Sequence, residues 1–499
     1  MRAFRPFRTL ALSGAVLAAL FIAPASADAP AQRTLTPEQI ASDIALAEEV
    51  YERIHPGYTR FTSAETLRGA WQSLLDEAEA DQGMTLGDFY VEANRVLAQI
   101  RCDHTKAELP DELAELRKSE PVYLPLRWEM IDGRGFVTVP GDETGLQRGD
   151  ELLAIDGQSL SDRADMIRPL IPYDGQTEWV RDVQIAQSYE FRGGGLDHFG
   201  ALLFDTRPTA KLTIKRADAA PIDLRVTRIT HPEWRALGAG QTGAANFKDA
   251  IRFDRIGEKA AYLAVDTFVN YRTPVDPDAL YDPIFQSLKD EGRDTLIVDL
   301  RRNGGGSTDA SLGLAAHLML EKAAFKKDVR VKTLNMDGLE EHLWTWDRSA
   351  MNPNPLGFKK NEDGTYSIRK MVSDELKQMT PDDTHFDGRL ILLTSRNNSS
   401  GSTHLLAFIK DQNPDVVLIG ERTGGNAEGA TAGILFTLTL PESGIKMRVP
   451  AMQSFMNISG FERGFGISPD IEAPMTIEAF LAGEDPALEK ALALIHGSM

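Results

Sequence analysis

Three serines lie in a short polar stretch, residues 398–403, soon after an apolar run at residues 390–394. The apolar run is typical of a buried strand, and a helical pattern follows the polar stretch. A serine on a turn from strand to helix can hold its hydroxyl exposed, beside backbone N–H groups that favour anions. The pattern indicates a nucleophile, although the same residue types also build plain turns and helix caps.

Three consecutive glycines, Gly304, Gly305 and Gly306, follow a second strand-like run at residues 295–300. Glycine has no side chain to keep a substrate away, so its backbone N–H can approach a reacting oxygen closely. The run lacks the Gly-Lys-Ser/Thr ending of a phosphate-binding loop. These glycines are therefore candidates for holding negative charge while a serine attacks.

Four stretches in a fixed order resemble the carboxyl-terminal processing (tail-specific) superfamily of serine proteases. They are Asp-Leu-Arg-Arg-Asn-Gly-Gly-Gly-Ser at 299–307, Asn-Ser-Ser-Gly-Ser-Thr at 398–403, Gly-Glu-Arg-Thr-Gly-Gly at 420–425 and Gly-Phe-Gly-Ile-Ser-Pro-Asp at 464–470. Four ordered motifs are far more specific than any one alone. The resemblance implies a ClpP/crotonase-like α/β protease core, acyl-enzyme chemistry without a cofactor, and polypeptide substrates.

The resemblance implies Ser400 as the nucleophile, with Ser399 and Ser402 as alternatives in a different register. A tetrahedral intermediate also needs donors for its negative oxygen. The N–H groups that would supply them are those of Gly401, Gly305 and Gly306.

The base that takes the serine proton differs within this superfamily. Many relatives use a lysine, but Asn426 stands at that position in this chain. The other branch, which resembles the tricorn core protease, uses Ser, His and Glu. Asp103-His104-Thr105 matches the histidine element of that branch, so the resemblance implies His104 as the base. Imidazole titrates near pH 6.5 and can accept and return a proton.

Three other residues compete with His104 by type. His404 lies four residues after Ser400 on the same predicted helix, where it would face back toward the turn. Lys410 and Lys446 are candidates by residue type only. A satisfied surface histidine is the expected interpretation of His404, and Lys446, in an amphipathic strand pattern, is expected to be solvated.

The acid that orients the histidine should lie near the closing motif. Glu462 is the nearest carboxylate, one residue from the family position, and Glu421 and Glu428 are alternatives. No metal site is expected, because the nine histidines show no paired spacing and there is one cysteine, Cys102.

Residues 144–160 resemble a PDZ domain. The resemblance depends on Gly145-Leu146, Gly149-Asp150 and the strand and turn at 155–157. PDZ domains add an extended peptide to a sheet edge, so the resemblance implies substrate binding at Gly145 and Leu146. Residues 161–204 exceed what such a domain needs and are interpreted as an insertion or lid.

The chain divides into five predicted segments of an α/β multi-domain protein. Apolar residues at helical spacing, after a Thr36-Pro37 helix start, predict an N-terminal helical domain. The segments are a signal peptide at 1–27, the helical domain at 28–117, a PDZ-like domain at 118–235, an α/β serine protease core at 250–480 and a C-terminal helix at 481–499.

The first residues predict export to the periplasm or the medium. Three arginines precede an apolar run at 10–22 and small residues at 25–27, which is the layout of a cleavable signal. No later segment is apolar enough for a membrane span. The formal net charge of −20 disfavours nucleic acid and anionic lipid as partners. A homo-oligomer is compatible with the sequence.

Two other functions compete with proteolysis. The superfamily also includes the interphotoreceptor retinoid-binding protein, so an inactive carrier of lipid-like ligands is one alternative. An interaction scaffold that uses only the PDZ-like surface is the other.

Overall fold

The computed structural model describes residues 33–497 except 189–190, 205 and 239–243. The predicted signal peptide lies outside the described residues. Within them the chain has a mixed α/β multi-domain fold with three larger sheets. No helix in this part of the chain is long and apolar enough to cross a membrane.

The N-terminal segment is mainly helical, as predicted. Thr36 caps the first helix, since its side chain accepts the N–H of Gln39 and the Gln39 side chain accepts the N–H of Thr36. The elements are β1 Thr34–Leu35, α1 Pro37–Ile54, α2 Ala64–Ala80, β2 Met84–Thr85, α3 Leu86–Ala98, β3 Ala107–Glu108 and α4 Asp111–Ser119.

An antiparallel sheet with strand order β4-β5-β6-β8-β9 forms the next segment, and β7 pairs with β6. The elements are β4 Leu126–Ile131, β5 Arg134–Pro140, β6 Glu151–Ile155, β7 Gln158–Ser159, α5 Leu160–Ile167, α6 Val180–Ala186, α7 Gly195–Leu203, β8 Thr209–Lys215, β9 Ile222–Thr227 and α8 His231–Ala236. The predicted insertion is largely helical. Its helix α6 packs beside the edge strand β4, and Gln187 donates to the carbonyl of Trp128 on that strand.

The remaining elements form the core and the C-terminus. They are β10 Ile251–Ile256, β11 Ala260–Val265, α9 Asp278–Asp290, β12 Thr295–Asp299, α10 Thr308–Leu318, β13 Ala323–Ala324, β14 Lys326–Val331, β15 Leu343–Trp344, β16 Phe358–Lys360, β17 Tyr366–Ile368, β18 Gln378–Met379, β19 Arg389–Thr394, α11 Ser400–Gln412, β20 Val417–Gly420, β21 Thr431–Thr439, β22 Lys446–Met456, β23 Ile471–Glu472, α12 Ile477–Ala482 and α13 Pro486–His496. The strand-like runs at 295–300 and 390–394 are confirmed as β12 and β19, and α13 lies in the predicted C-terminal helix segment.

A mostly parallel sheet with order β10-β11-β12-β19-β20-β23 positions the motifs. Side chains alternate across it, since Leu296 and Val298 pack in a cluster with residues of α9, α10 and α11, whereas Ile297 packs with residues of α13. Strands β12 and β19 are parallel neighbours. Their carboxyl ends therefore meet at one edge of the sheet. The glycine loop, residues 300–307, and the serine turn, residues 395–400, both begin at this edge.

A second core sheet has the order β15-β21-β22-β14-β17-β16, and it was not anticipated from the sequence. The short strand β3 pairs antiparallel with β22 through Ala107↔Met447 and Glu108↔Lys446. This pairing ties the N-terminal segment just after His104 to the core, so residues far apart in sequence share one site.

Candidate active site

The predicted nucleophile lies on a strained turn between β19 and α11. Ser400 has a φ of +50°, in the left-handed region that residues with a side chain rarely adopt. Ser399 before it is extended, and Ser400 is partly exposed. Ser402 is fully buried, and its Oγ accepts a hydrogen bond from Asn398 Nδ2 at 2.9 Å. A substrate can therefore reach the hydroxyl region of Ser400 but not that of Ser402.

Asn398 fixes this turn to its surroundings. Its Nδ2 donates to the carbonyl oxygens of Leu300 at 2.5 Å and Asn303 at 3.1 Å, which belong to the loop after β12. Its own carbonyl accepts the N–H groups of Gly424 and Gly425, both at 2.8 Å. Because Asn398 is fully buried, these bonds are shielded from water. Three loops thus hold the serine in place.

The glycine loop lies directly against Ser400. A Cβ added to Gly305 would lie 2.9 Å from Ser400 Cβ and 3.1 Å from the Gly401 nitrogen, and the φ of Gly305 is +102°. The Gly305 N–H donates to Asn303 Oδ1 at 2.8 Å, so it points into its own loop and does not serve as the expected oxyanion donor. The N–H groups of Gly306 and Gly401 donate to no group among the described residues.

The loop between α3 and β3 brings His104 to the nucleophile turn. His104 Nδ1 lies 2.6 Å from Asp103 Oδ1. Asp103 Oδ2 accepts a hydrogen bond from Ser399 Oγ at 2.5 Å. Through this carboxylate, His104 is linked to the residue next to Ser400, although Asp103 and Ser399 are 296 positions apart in sequence.

The charge on Asp103 controls the proton affinity of His104. Burial by itself would lower the pKa of His104, but the attraction of the Asp103 carboxylate outweighs this, with a smaller contribution from Cys102. The pKa of His104 therefore lies well above its usual 6.5. The pair favours the imidazolium form that appears when a histidine takes a serine proton.

A second buried acid lies near this pair. Asp174, in the predicted insertion, accepts hydrogen bonds from the N–H of Asn426 at 3.2 Å and from its Nδ2 at 2.5 Å. Burial and then the charge of Asp103 raise the pKa of Asp174 to about 7, although Arg60 and His104 act in the opposite direction. Asn426, at the family lysine position, thus holds Asp174. Nothing in the sequence singled out Asp174.

The competing bases have structural partners. His404 Nε2 accepts the N–H of Ala430 at 3.1 Å, and burial, with the charge of Lys326, lowers the pKa of His404 to about 3. Lys410 pairs with Asp470 at 3.0 Å, and Lys446 pairs with Asp111 at 2.7 Å. His404 therefore stays neutral and occupied, and each lysine has an acidic partner of its own.

The structure does not bring the expected glutamates to His104. Glu462 is exposed, and its carboxylate makes no hydrogen bond or ion pair with any other described residue. Glu421 pairs with Arg396 at 2.9 Å, and Glu428 pairs with Arg60. The carboxylate beside His104 is that of Asp103, its neighbour in the matching sequence element, which the sequence reasoning passed over.

The predicted peptide-binding turn is engaged within the protein. The carbonyl of Gly145 accepts Arg216 Nη2 at 2.9 Å, and the N–H of Leu146 donates to Thr144 Oγ1 at 3.2 Å. The Leu146 side chain is buried. Arg148, two residues on, donates to the carbonyl of Phe480 in α12 at 2.8 Å. The Gly145 carbonyl and the Leu146 N–H are therefore already bonded within the protein, although Gly145 itself is exposed.

Two groups of described residues could each offer three metal ligands within 4.8 Å of one another. They are Cys102, Asp103 and His104, and Asp278, Asp282 and His317. In the first group Asp103 already bonds to Ser399. In the second, His317 is buried and its Nε2 lies 3.1 Å from Asp282 Oδ1, so a hydrogen bond accounts for the contact.

Comparison with known proteins identifies the core. Residues 259–473 match the family model of peptidase family S41. The chloroplastic carboxyl-terminal-processing peptidase 1 of Arabidopsis thaliana is 21% identical over 397 residues, which cover 77% of this chain and 68% of that protein. The match to the family model includes the glycine loop and the serine turn but not the segment of His104.

Solved structures of mature CPAF share the fold of nearly the whole chain. The structure of mature CPAF has a TM-score of 0.65 at 16% identity and covers 92% of this chain and 97% of its own. The structure of mature CPAF complexed with lactacystin has a TM-score of 0.61 at 15% identity, and the match covers 92% of this chain and 98% of that one. Over residues 259–473 the chain is similar to peptidase family S41, and this similarity indicates a hydrolase, a serine peptidase that acts on polypeptides.

Proposed function

We propose that the chain is an endopeptidase in which Ser400 attacks the peptide carbonyl, His104 is the base and Asp103 orients the histidine. One observation carries the proposal. The strained Ser400 turn packs against the glycine loop, and the adjacent Ser399 bonds to the carboxylate that contacts His104. A nucleophile, a base and an orienting acid are the minimum set for acyl transfer at serine.

The reaction has two balanced steps. Ser400 Oγ forms a bond to the carbonyl carbon while its proton passes to His104, and the collapse of the intermediate returns that proton to the leaving amine. A water molecule then gives a proton to His104 and attacks the acyl ester; the ester bond breaks, the acid is released, and His104 returns the proton to Ser400 Oγ. Asp103 stabilises the imidazolium in both steps. Such general base catalysis contributes about 10²- to 10⁴-fold.

The N–H groups of Gly306 and Gly401 are the proposed oxyanion donors. Both lie beside Ser400 and are free of other described partners. The loss of one such donor lowers kcat by about 10²- to 10³-fold in other serine proteases. Gly305 acts differently in this proposal, because its small size lets the loop approach the serine.

We also propose that the antiparallel sheet β4–β9 docks the polypeptide and that the protein is exported. The sheet has the strand pattern expected of a peptide-binding domain, and β4 is an edge strand of it. Helix α6 packs beside β4, so a peptide at this edge would contact α6. Export is supported by the sequence pattern of residues 1–27.

The test compares three serine variants on an unfolded protein substrate and with a fluorophosphonate label. We expect Ser400→Ala to lose turnover and labelling, whereas Ser402→Ala, the matched control on the same turn, keeps labelling. Ser399→Ala keeps the nucleophile but loses the bond to Asp103, so reduced turnover is expected. Lactacystin, present in a CPAF structure, is a candidate inhibitor. Full activity of Ser400→Ala would contradict the proposal, and bound lipid without labelling would favour a carrier.

A further inference from the structure

Arg422 packs against a stacked pair of aromatic rings just before the glycines that pack on the nucleophile turn. Its guanidinium carbon is 4.9 Å from the centre of the Trp179 ring and 4.7 Å from that of Phe465. The two rings are stacked with an interplanar angle of 20°. Arginine stacks readily on aromatic faces, and the rings restrict its side chain to one orientation. The cation is therefore held in place before any ligand arrives.

No carboxylate of the described residues forms an ion pair with Arg422. Its Nε lies 3.4 Å from the carbonyl oxygen of Gly466, and its terminal nitrogens make no hydrogen bond within the described part of the chain. The adjacent Glu421 pairs with Arg396. The chain has 74 acidic and 54 basic residues, so acidic partners for an arginine are plentiful. An arginine without an acidic partner among the described residues is therefore unexpected.

A guanidinium with open terminal nitrogens suits one ligand chemistry. Its planar fork donates two parallel hydrogen bonds to a carboxylate. Arg422 is only partly exposed. An ion pair between a guanidinium and a carboxylate is stronger at a partly buried position than in open water. The neighbouring rings would shield a bound carboxylate further.

The position of Arg422 relates it to the reaction. It lies three positions before Gly425, where an added Cβ would lie 3.0 Å from the Ser400 nitrogen. Three residues span at most about 11 Å, and an extended substrate advances about 3.3 Å per residue. Trp179 is fixed on the same side, since its Nε1 donates to the carbonyl of Thr423 at 3.0 Å. A substrate group within about four residues of the cut bond can reach Arg422.

We propose that Arg422, packed against the stacked rings of Trp179 and Phe465, binds a carboxylate of the polypeptide substrate within about four residues of the bond that is cut. The carboxylate belongs either to an acidic side chain or to a free C-terminus. This inference depends on the proposed peptidase mechanism, and it adds a determinant of specificity to it.

The experiment measures kcat/KM for matched peptides with the wild-type protein and Arg422→Gln. The peptides carry Glu or Gln at each of four positions on either side of the cut bond, with a free or an amidated C-terminus. We expect the wild type to prefer the carboxylate form at one position by roughly ten- to hundred-fold, and Arg422→Gln to lose that preference while it cleaves the neutral peptide normally. Whether Glu or the free C-terminus gives the effect identifies the source.

Two variants separate a specific role from a structural one. Arg396→Gln removes the neighbouring cation that already pairs with Glu421, so it should keep the preference. Arg422→Lys keeps the charge without the fork, so an intermediate preference is expected. An equal loss on acidic and neutral peptides in Arg422→Gln would overturn the inference, as would a wild type without any preference.

A binding measurement distinguishes failure of this inference from failure of the mechanism. Fluorescence anisotropy gives the Kd of each labelled peptide with Ser400→Ala and with Ser400→Ala combined with Arg422→Gln. If Ser400→Ala binds the carboxylate peptides more tightly than the neutral ones and the double variant does not, the inference is supported. This holds even if the wild type shows no turnover. Equal Kd values for all peptides in both proteins contradict it, whatever the fate of the Ser400 assignment.

Discussion

Gly425 provides a sharp test of how closely the nucleophile turn must be held. A Cβ at this position would lie 2.9 Å from Ser399 Cα and 3.0 Å from the Ser400 nitrogen. Ordinary contacts between carbon atoms are about 3.5–4.0 Å. The substitution Gly425→Ala must therefore push the turn away by about 0.6 Å, because both neighbours are backbone atoms.

The displacement translates into a fall in rate. A misplacement of about 1 Å can cost about 10²-fold in rate when reacting groups are otherwise aligned. We expect Gly425→Ala to lower kcat by about ten- to hundred-fold, which corresponds to about 1.4–2.7 kcal/mol in the activation barrier. The added methyl group also overpacks the core at a cost of about 1–3 kcal/mol in stability, so kcat is measured well below the melting temperature.

Gly69→Ala is the matched control. It makes the same chemical change in helix α2, where an added Cβ meets no atom within 4 Å, so kcat should stay at the wild-type value. Steady-state kinetics on a fluorogenic peptide and thermal melts followed by circular dichroism supply both readouts. A Gly425→Ala protein that is folded and has wild-type kcat would refute the idea that the turn tolerates no shift.

Three further predictions concern the histidines and the buried amide. In the proposed mechanism His104 must be neutral to accept a proton, and Asp103 holds the pKa of His104 above its usual value. Asp103→Asn should therefore move the acidic limb of the pH profile of kcat/KM to lower pH. An unmoved limb would contradict this role of Asp103. Because the pKa of His404 is about 3, His404→Gln should leave the acidic limb of the pH profile in place. His104→Gln should instead lower kcat by about 10²- to 10⁴-fold. A shifted limb in His404→Gln would indicate that His404 is the base. Asn398→Ala leaves the Asn303 carbonyl without the Nδ2 donor and the buried N–H of Ser395 without its acceptor, while the Leu300 carbonyl keeps the N–H of Asn303. Thermal or urea unfolding should therefore show a loss of about 2–5 kcal/mol in the free energy of unfolding. Unchanged stability would show that Asn398 does not hold the turn.

Local sequence patterns were sufficient for the elements that carry the chemistry. Strand β19 and helix α11 follow from apolar periodicity, and the polar residues between them can only be a turn, where Ser400 lies. The N-terminal helix likewise begins at Thr36 and Pro37 as expected. Such features depend on residues a few positions apart, whose preferences act within one element.

The orienting acid could not be ranked in this way. Glu462 was favoured by its place in the closing motif, yet its side chain points to solvent, and Asp103 lies beside His104. Every carboxylate has the same chemistry in the sequence, and only distance to the imidazole separates them. The direction of a single backbone N–H, such as that of Gly305, also cannot be predicted from the sequence, because it follows from the local φ and ψ angles.

By itself the sequence determined the N-terminal helix, the strands β12 and β19, the order of the motifs and a serine on the turn after β19. Only the tertiary structure decided which distant groups meet there: His104 through the pairing of β3 with β22, Asp174 through Asn426, and Arg422 against the rings of Trp179 and Phe465. The physical reason is that short-range preferences fix each element, whereas contacts between elements depend on how all of them pack together.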